Sequence, residues 1–533
     1  MNTLDGLSPL SLTENLPNEI LSDIFWQLTK MPPYTAERSL SSVLLVCRRW
    51  NVVAISTPDL WTTLTITSGN ALRAEILLSR SKDVAVDVII REVLHWGGGI
   101  VVIVELIRQH LHRIRNLSLF KTPSLLVSRI LGRLCVPAPR LELFAIVDPD
   151  YPRNPERLLL PSSFLGEGAP QLKHLILEHS SIFWSSPLFH NLSTLYNTLE
   201  NIHATPSSDL FLSVLQSCSQ LERLHLNASG PILRHDAVLT RSNRRVRLPA
   251  LRYLTLSFVT ISQITYTLSH ILSPSISDLH ILTTAPDGWD LVNGIMPFLA
   301  EMCEASGASA SNIEYISFAP TTEGEDMLLV LFLSSGGQLT LDVNNISPRK
   351  IFTSFASVSG AGWPLPKQLI VMLPRKETLA VSDWSIALRG WTGLESLILV
   401  SNCGEEYLVS ALGSKEGSTS PSLEETYNNF ISPSLGVLAL KNSAAPDDNL
   451  AVRSEELISN LVMCLKQRQV QKLRLNILSL RGFIVAEADQ KLLEGLVDRL
   501  LVLPPHDPVT VDPSRLRRYP PVLRGALRSV DCG

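Results

Sequence analysis

Long apolar runs are scarce in this chain. The most lipid-like stretch of its 533 residues, "GGGIVVIVELI" (97–107), is about half the ~20 residues that a membrane-spanning helix needs, and Glu105 lies inside it. It reads as a buried strand or helix, and no membrane partner is expected. The seven cysteines (47, 135, 218, 303, 403, 464 and 532) are scattered, with no two within 60 positions and no C-x-x-C pair. That spacing fits reduced core thiols in the cytosol or nucleus and offers no zinc or redox motif. An excess of one charge is missing too. Lys plus Arg is 46 and Asp plus Glu is 50, a net −4, so no global field draws the chain to nucleic acid. The first residues show neither a basic leader nor an apolar h-region, and no secretory signal is expected.

Catalytic signatures are equally absent. There is no G-x-S-x-G, H-E-x-x-H, G-x-x-x-x-G-K or G-x-G-x-x-G. The glycines of "WGGGIV" (96–101) lack the spacing of a phosphate cradle. His110 and His112, two apart, fall on different sides of a helix, and Asp148 and Asp150 sit among prolines without the glycine of a calcium loop. The expectation is a non-enzymatic cytoplasmic or nuclear protein with no cofactor and no metal.

Apolar residues make up 45% of the chain, which argues against disorder over most of its length. Its size demands several domains or an elongated repeat. At the start, "LPNEILSDIFWQLTK" (16–30) predicts a short helix. Pro17 suits a first turn, Glu19 and Asp23 lie near the positive end of the helix dipole, and Ile20, Leu21, Ile24, Phe25 and Leu28 form a wide apolar stripe. After "KMPPYTAERS", the residues Val43, Val46, Cys47, Trp50 and Val53 repeat the 3–4 spacing on a second helix, and "STPDLW" closes the unit at Leu60 and Trp61. About 48 residues make a poor core alone. Either the helices cap the rest of the chain, or their surface meets another protein.

"LPNEILSDIFWQL … SLSSVLLVCRRWNVVA … PDLW" resembles the F-box: Leu-Pro-x-Glu-Ile, an Ile-Phe pair, Val-Cys-x-x-Trp and a closing Leu-Trp, with an inter-helix linker longer than in compact members. The resemblance covers residues 14 to 61. It implies docking of an apolar face onto a Skp-type adaptor, and through it a cullin, in an SCF-type ubiquitin ligase. The adaptor-binding residues it implies are Leu16, Pro17, Ile20, Leu21, Ile24, Phe25, Leu45, Val46, Cys47 and Trp50.

Beyond residue 61 an apolar-x-x-apolar-x-apolar hexad keeps returning. It occurs as "WTTLTI" (61–66), "IRNLSL" (114–119), "LELFAI" (141–146), "LKHLIL" (172–177), "LERLHL" (221–226), "LRYLTL" (251–256), "ISDLHI" (276–281), "IEYISF" (313–318), "LESLIL" (394–399), "LGVLAL" (435–440) and "VQKLRL" (470–475). Gaps between clear neighbours of 27, 31, 49, 30, 25 and 37 residues are longer and less regular than the ~20–29 of a tidy leucine-rich repeat, four of the six exceeding it. Each hexad predicts a short strand whose apolar face is buried only by stacking on its neighbours. An ordinary doubly wound domain, with Val/Ile/Leu-rich parallel strands, is the alternative. Asn402 sits where a repeat asparagine would serve the turn after a strand.

The expected fold class is α/β, an N-terminal α-helical F-box followed by an irregular leucine-rich-repeat solenoid, or horseshoe. The chain looks like a fungal-type member of the F-box and leucine-rich-repeat arrangement. Its expected parts are a tail (1–13), the F-box (14–61), the solenoid (62–502) and a Pro-rich tail (503–533). Segments 285–294, 354–367 and 413–425 read as loops. "RSNRRVR" (241–247) reads as a surface loop before the strand at 251. The residues between the hexad leucines are expected to face outward at the strand period of two, which makes His174, Arg223, His225, Tyr253, Thr255 and His280 the candidate contacts for a protein target. The rival function is a non-catalytic scaffold whose hairpin caps the solenoid.

Overall fold

In the computed structural model, the described residues are 16–504 apart from 32, 68–70, 94–96, 148–157, 167, 199–204, 234–243, 259, 274–275, 285–312, 321–326, 334–337, 345–348, 351, 354–365, 374–377, 402, 414–431 and 443–449. The two terminal tails from 1 to 13 and from 505 onward, Asn402, Asp148, Asp150, and the loop readings at 285–294, 354–365 and 414–425 lie outside them. The chain divides into two compact units, with described residues inside Met1–Pro231 and inside Ile232–Asp512.

The first unit opens with three helices, α1 (Asn18–Thr29), α2 (Pro33–Val46) and α3 (Arg48–Ser56), and a 3₁₀ turn, Pro58–Trp61. The expected second helix running through Cys47 is two helices. Cys47 takes an extended conformation (φ −159°, ψ 167°), and its sulfur accepts the Trp50 N–H at 3.5 Å as the cap of α3. The expected long linker is itself helical, because Pro33 opens α2 at a first position where its missing N–H costs nothing.

Parallel strands follow: β1 (Thr63–Ile66), β2 (Val86–Arg91), β3 (Ile114–Phe120), β4 (Leu143–Val147), β5 (His174–Leu177), β6 (Thr194–Thr198) and β7 (Arg223–Asn227). Each pairs with the next in chain order, without the reversal of a doubly wound sheet. Helices Ala71–Arg80 (α4), Gly98–His110 (α5), Ser124–Leu131 (α6) and Ser208–Ser217 (α7) occupy connections, so the "GGGIVV" stretch starts a helix. The hexad positions align across the ladder: Leu117 pairs with Phe144, Phe144 with Leu175, Leu175 with Leu195 and Leu195 with Leu224, all buried.

In the second unit, β8 (Tyr253–Phe258) is parallel to β9 (Asp278–Thr284), and β9 to β12 (Gln338–Asn344). The strand β10 (Ile313–Pro320) lies two places further on. It returns through the antiparallel β11 (Met327–Leu333), which pairs with β12, while its other edge pairs in parallel with β13 (Gln368–Met372). From there β14 (Ser396–Ser401), β15 (Val437–Asn442), β16 (Ile477–Arg481) and β17 (Arg499–Leu503) continue in parallel, interleaved with α8 (Val381–Gly390), α9 (Glu405–Gly413), α10 (Leu450–Val470) and α11 (Glu487–Leu496). Leu503, read as the start of the tail, ends the last strand.

Ten of the eleven hexads carry strands. "VQKLRL" does not. Val470 ends α10, Lys472 takes a left-handed φ of 60°, and Leu473 N–H bonds back to Arg468 O at 2.9 Å, so these residues form a helix end and turn. The hexad belongs five residues later, at Leu475, Leu478 and Leu480, all buried, the last two on β16 and the first just before it. Within "RSNRRVR", Val246–Arg247 form a two-residue strand beside Ile271–Leu272, and residues 241–243 are not described.

The outward-facing expectation for the intervening positions holds for β7, β8 and β13 to β16, where buried and half-buried residues alternate. It fails for β4, buried at every position, and for most of β3, β5 and β6. There many of the intervening residues are apolar, and Phe120, Leu143, Ala145, Val147, Ile176 and Tyr196 pack into one cluster with Ile89 at its edge, while Ser118, Thr194 and Thr198 are buried polar residues of the same strands. Apolar residues on both faces of a strand mark two-sided burial.

Candidate functional site

The N-terminal helices form a two-faced unit. One face is the unit's own core: Leu21 and Phe25 of α1, Val43 of α2, Val53 and Ala54 of α3, then Leu60 and Trp61, all buried. The Phe25 ring lies 5.1 Å from that of Trp50. Arg49 fastens the start of α1 to the start of α3, donating to Asn18 Oδ1 at 3.0 and 3.2 Å and to the Leu16 carbonyl. Ser22 and Thr57 share a hydroxyl hydrogen bond of 3.0 Å.

The other face is apolar and open. Ile20 and Ile24 are 44% and 47% exposed on α1, and Leu45 and Val46 are 86% and 57% exposed at the end of α2. Pro17 and Cys47 are exposed beside them, since Arg49 holds residues 16–18 against the α2–α3 break. Of the ten adaptor candidates, Leu21 and Phe25 therefore sit in the unit's own core. Leu16 and Trp50 are half-buried, and Pro17, Ile20, Ile24, Leu45, Val46 and Cys47 are at the surface. Helix periodicity could not separate the two groups, because Ile20–Leu21 and Ile24–Phe25 are adjacent pairs straddling one stripe. The exposed Trp26, under Lys30 at 4.1 Å, and Met31, Val52 and Ile55 were not among the candidates.

The six strand-face candidates fall into two groups. In the first unit, His174 pairs with Thr194, Thr194 with Arg223, and Tyr196 with His225. His174 Nδ1 lies 3.1 Å from Thr194 Oγ1, and the His225 ring stacks on Tyr196 at 4.0 Å, 7° from parallel. Burial is the main cause that holds the His174 imidazole below its ordinary pKa. Lys173 and Arg223 add to this, while Glu142 and Glu222 oppose it. In the second unit, Tyr253 pairs with Asp278 and Thr255 with His280. All six side chains are half-buried.

Among the described residues no group of His, Cys, Asp and Glu could hold a metal ion, and no helix is long and apolar enough to cross a membrane. A family profile described as F-box-like matches residues 13–67, so an F-box-like domain of the kind that serves as a ubiquitin-ligase adaptor module opens the chain. No curated protein matches it. Among solved structures the chain is similar to the crystal structure of a TLR13–ssRNA13 complex, at 15% identity, over 70% of this chain and 40% of that one, with a TM-score of 0.20. The chain thus spans less than half the length of that structure.

Proposed function

We propose that this protein is a substrate-recognition subunit of an SCF-type ubiquitin ligase: the F-box-like domain binds a Skp-type adaptor, the adaptor a cullin, and the strands that follow present a protein target. In this reading the strand–helix units are divergent leucine-rich repeats of a fungal-type member. The observation that carries it is the exposure of Pro17, Ile20, Ile24, Leu45, Val46 and Cys47, four of them large apolar side chains, inside the matched segment. No step of chemistry is assigned to this chain. Holding a target beside a charged conjugating enzyme raises its effective concentration, and that suffices.

A second reading, a cytoplasmic or nuclear scaffold whose helices cap the strands, is favoured by the seating of Leu60 and Trp61 in the core. The two readings rest on different residues of the same helices, and only the first requires an adaptor. Co-purification of the full chain with the adaptor and cullin tests it. Recovery of both supports the ligase reading, and recovery of neither leaves the scaffold.

A further inference from the structure

The outward strand face of the second unit changes character between β13 and β16. Leu397, Leu438 and Leu478 are buried on the hexad side, so the residues between them stand on the opposite face in registered rows. One row holds Ile370 and Ile398, and the next runs Met372, Val400, Lys441 and Arg481. The face is therefore apolar over β13 and β14 and cationic over β15 and β16. Met372 is exposed and the others are half-buried. Lys441 and Arg481 are register partners on adjacent strands, about 4.8 Å apart, where like charges repel. Among the described residues neither has a carboxylate partner, and Arg481 Nε is enclosed without a hydrogen-bond acceptor. An enclosed guanidinium N–H without an acceptor is destabilising, and a carboxylate placed beside the two cations supplies charge-assisted bonds.

We infer that this face docks an extended segment of the target protein that carries large apolar residues and an acidic pair about three residues apart. The spacing follows from the sheet. Ile398 and Val400 on β14 lie two strands from Arg481 on β16, about 9.6 Å, which an extended chain crosses in about three residues. Apolar side chains then meet Ile370, Met372, Ile398 and Val400 while the carboxylates meet Lys441 and Arg481. Charge complementarity fixes the sign of the partner, and the apolar half supplies the area that a charge pair alone lacks. Two cations beside four large apolar side chains are too few to neutralise a nucleic-acid backbone, which favours a peptide. The inference rests on the target-binding reading and deepens it, since it names the target's chemistry. It adds a surface that none of the six strand-face candidates includes, and the adaptor plays no part in it.

The test is fluorescence polarisation with the full chain, without adaptor, and two fluorescein-labelled peptides, Leu-Ile-Ser-Ser-Glu-Glu and its reverse. At least one should bind, and glutamine in place of its glutamates should weaken it at least tenfold. Lys441→Gln combined with Arg481→Gln should weaken the acidic peptide by the same factor, leaving the glutamine peptide and the melting temperature unchanged. Ile398→Ser should weaken both peptides. Asp447 and Asp448 follow β15 in the sequence, so the measurements are repeated with Asp447→Asn and Asp448→Asn combined. No binding to either form of the chain, equal binding of glutamate and glutamine peptides, indifference to the cation substitutions, or tighter binding of a uridine hexanucleotide would each overturn the proposal. Adaptor pull-down is read separately, so its loss beside intact peptide binding counts against the ligase reading alone.

Discussion

The indole N–H of Trp61 donates to the carbonyl oxygen of Ala54 at 2.8 Å, and the Arg80 guanidinium lies 4.6 Å from the centre of the same ring. One side chain thus belongs to three elements: it caps the end of α3, fills the first hexad position of β1 and lies under α4. Leu60 and Trp61 close the F-box-like motif and also begin the strand ladder.

That shared position predicts the result of cutting the chain there. Trp61→Ala should cost about 3–5 kcal/mol, the range for emptying a buried aromatic site. A chain starting at Thr63 should melt well below one starting at Leu16, as read by circular dichroism. Equal melting temperatures would show that the helices and strands are independent.

The two faces of α1 should separate binding from folding. Ile24→Asp places a charge in what would be a desolvated interface, and should abolish adaptor pull-down while leaving the far-ultraviolet spectrum and melting temperature unchanged. Phe25→Ala should instead destabilise the helices by about 3–5 kcal/mol, because its ring is buried against Trp50. Adaptor capture by Ile24→Asp at the wild-type level would exclude this face as the docking surface.

A buried cation organises the turn between α4 and β2. Arg113 donates to Ser81 Oγ at 2.9 Å, Leu78 O at 2.8 Å and Val84 O at 3.0 Å. Arg113→Met removes all three bonds, leaving Leu78 O only the Ser81 hydroxyl and Val84 O without its guanidinium donor, and should cost about 2–4 kcal/mol by urea denaturation. A loss within about 0.5 kcal/mol, as at ordinary surface sites, would contradict that role.

His174 predicts an acid-sensitive first unit. Its folded pKa lies below the ordinary 6.5, mainly through burial, so between those values the unfolded chain holds more protons than the folded one. Stability therefore rises with pH through that window, is flat above 6.5 as far as this residue is concerned, and falls on acidification. His110, lowered chiefly by burial and then by Arg113 and His112, adds to the same slope. His174→Gln should flatten the pH dependence of the unfolding free energy below about pH 6.5. An unchanged slope would contradict the assignment.

The sequence alone determined the first helix, because helical spacing in "LPNEILSDIFWQL" depends only on local period, but not the break at Cys47 that splits the second. It also determined ten strands, because a buried Leu-x-x-Leu-x-Leu repeats in the chain itself. It could not place the eleventh, where α10 overran "VQKLRL" and the same spacing recurred at Leu475, Leu478 and Leu480. Nor could it find β6, whose third hexad position is the buried Asn197, or β11 and β12 and the order in which they pair with β10, which is set by contacts far apart in sequence. Which member of each Ile20–Leu21 and Ile24–Phe25 pair faces outward was decided by how α2 and α3 pack on α1. That both faces of β4 and β6 are buried was likewise decided by tertiary packing. Local period fixes where a side chain stands on its own element, whereas burial depends on the element packed against it, and only the tertiary structure supplies that neighbour.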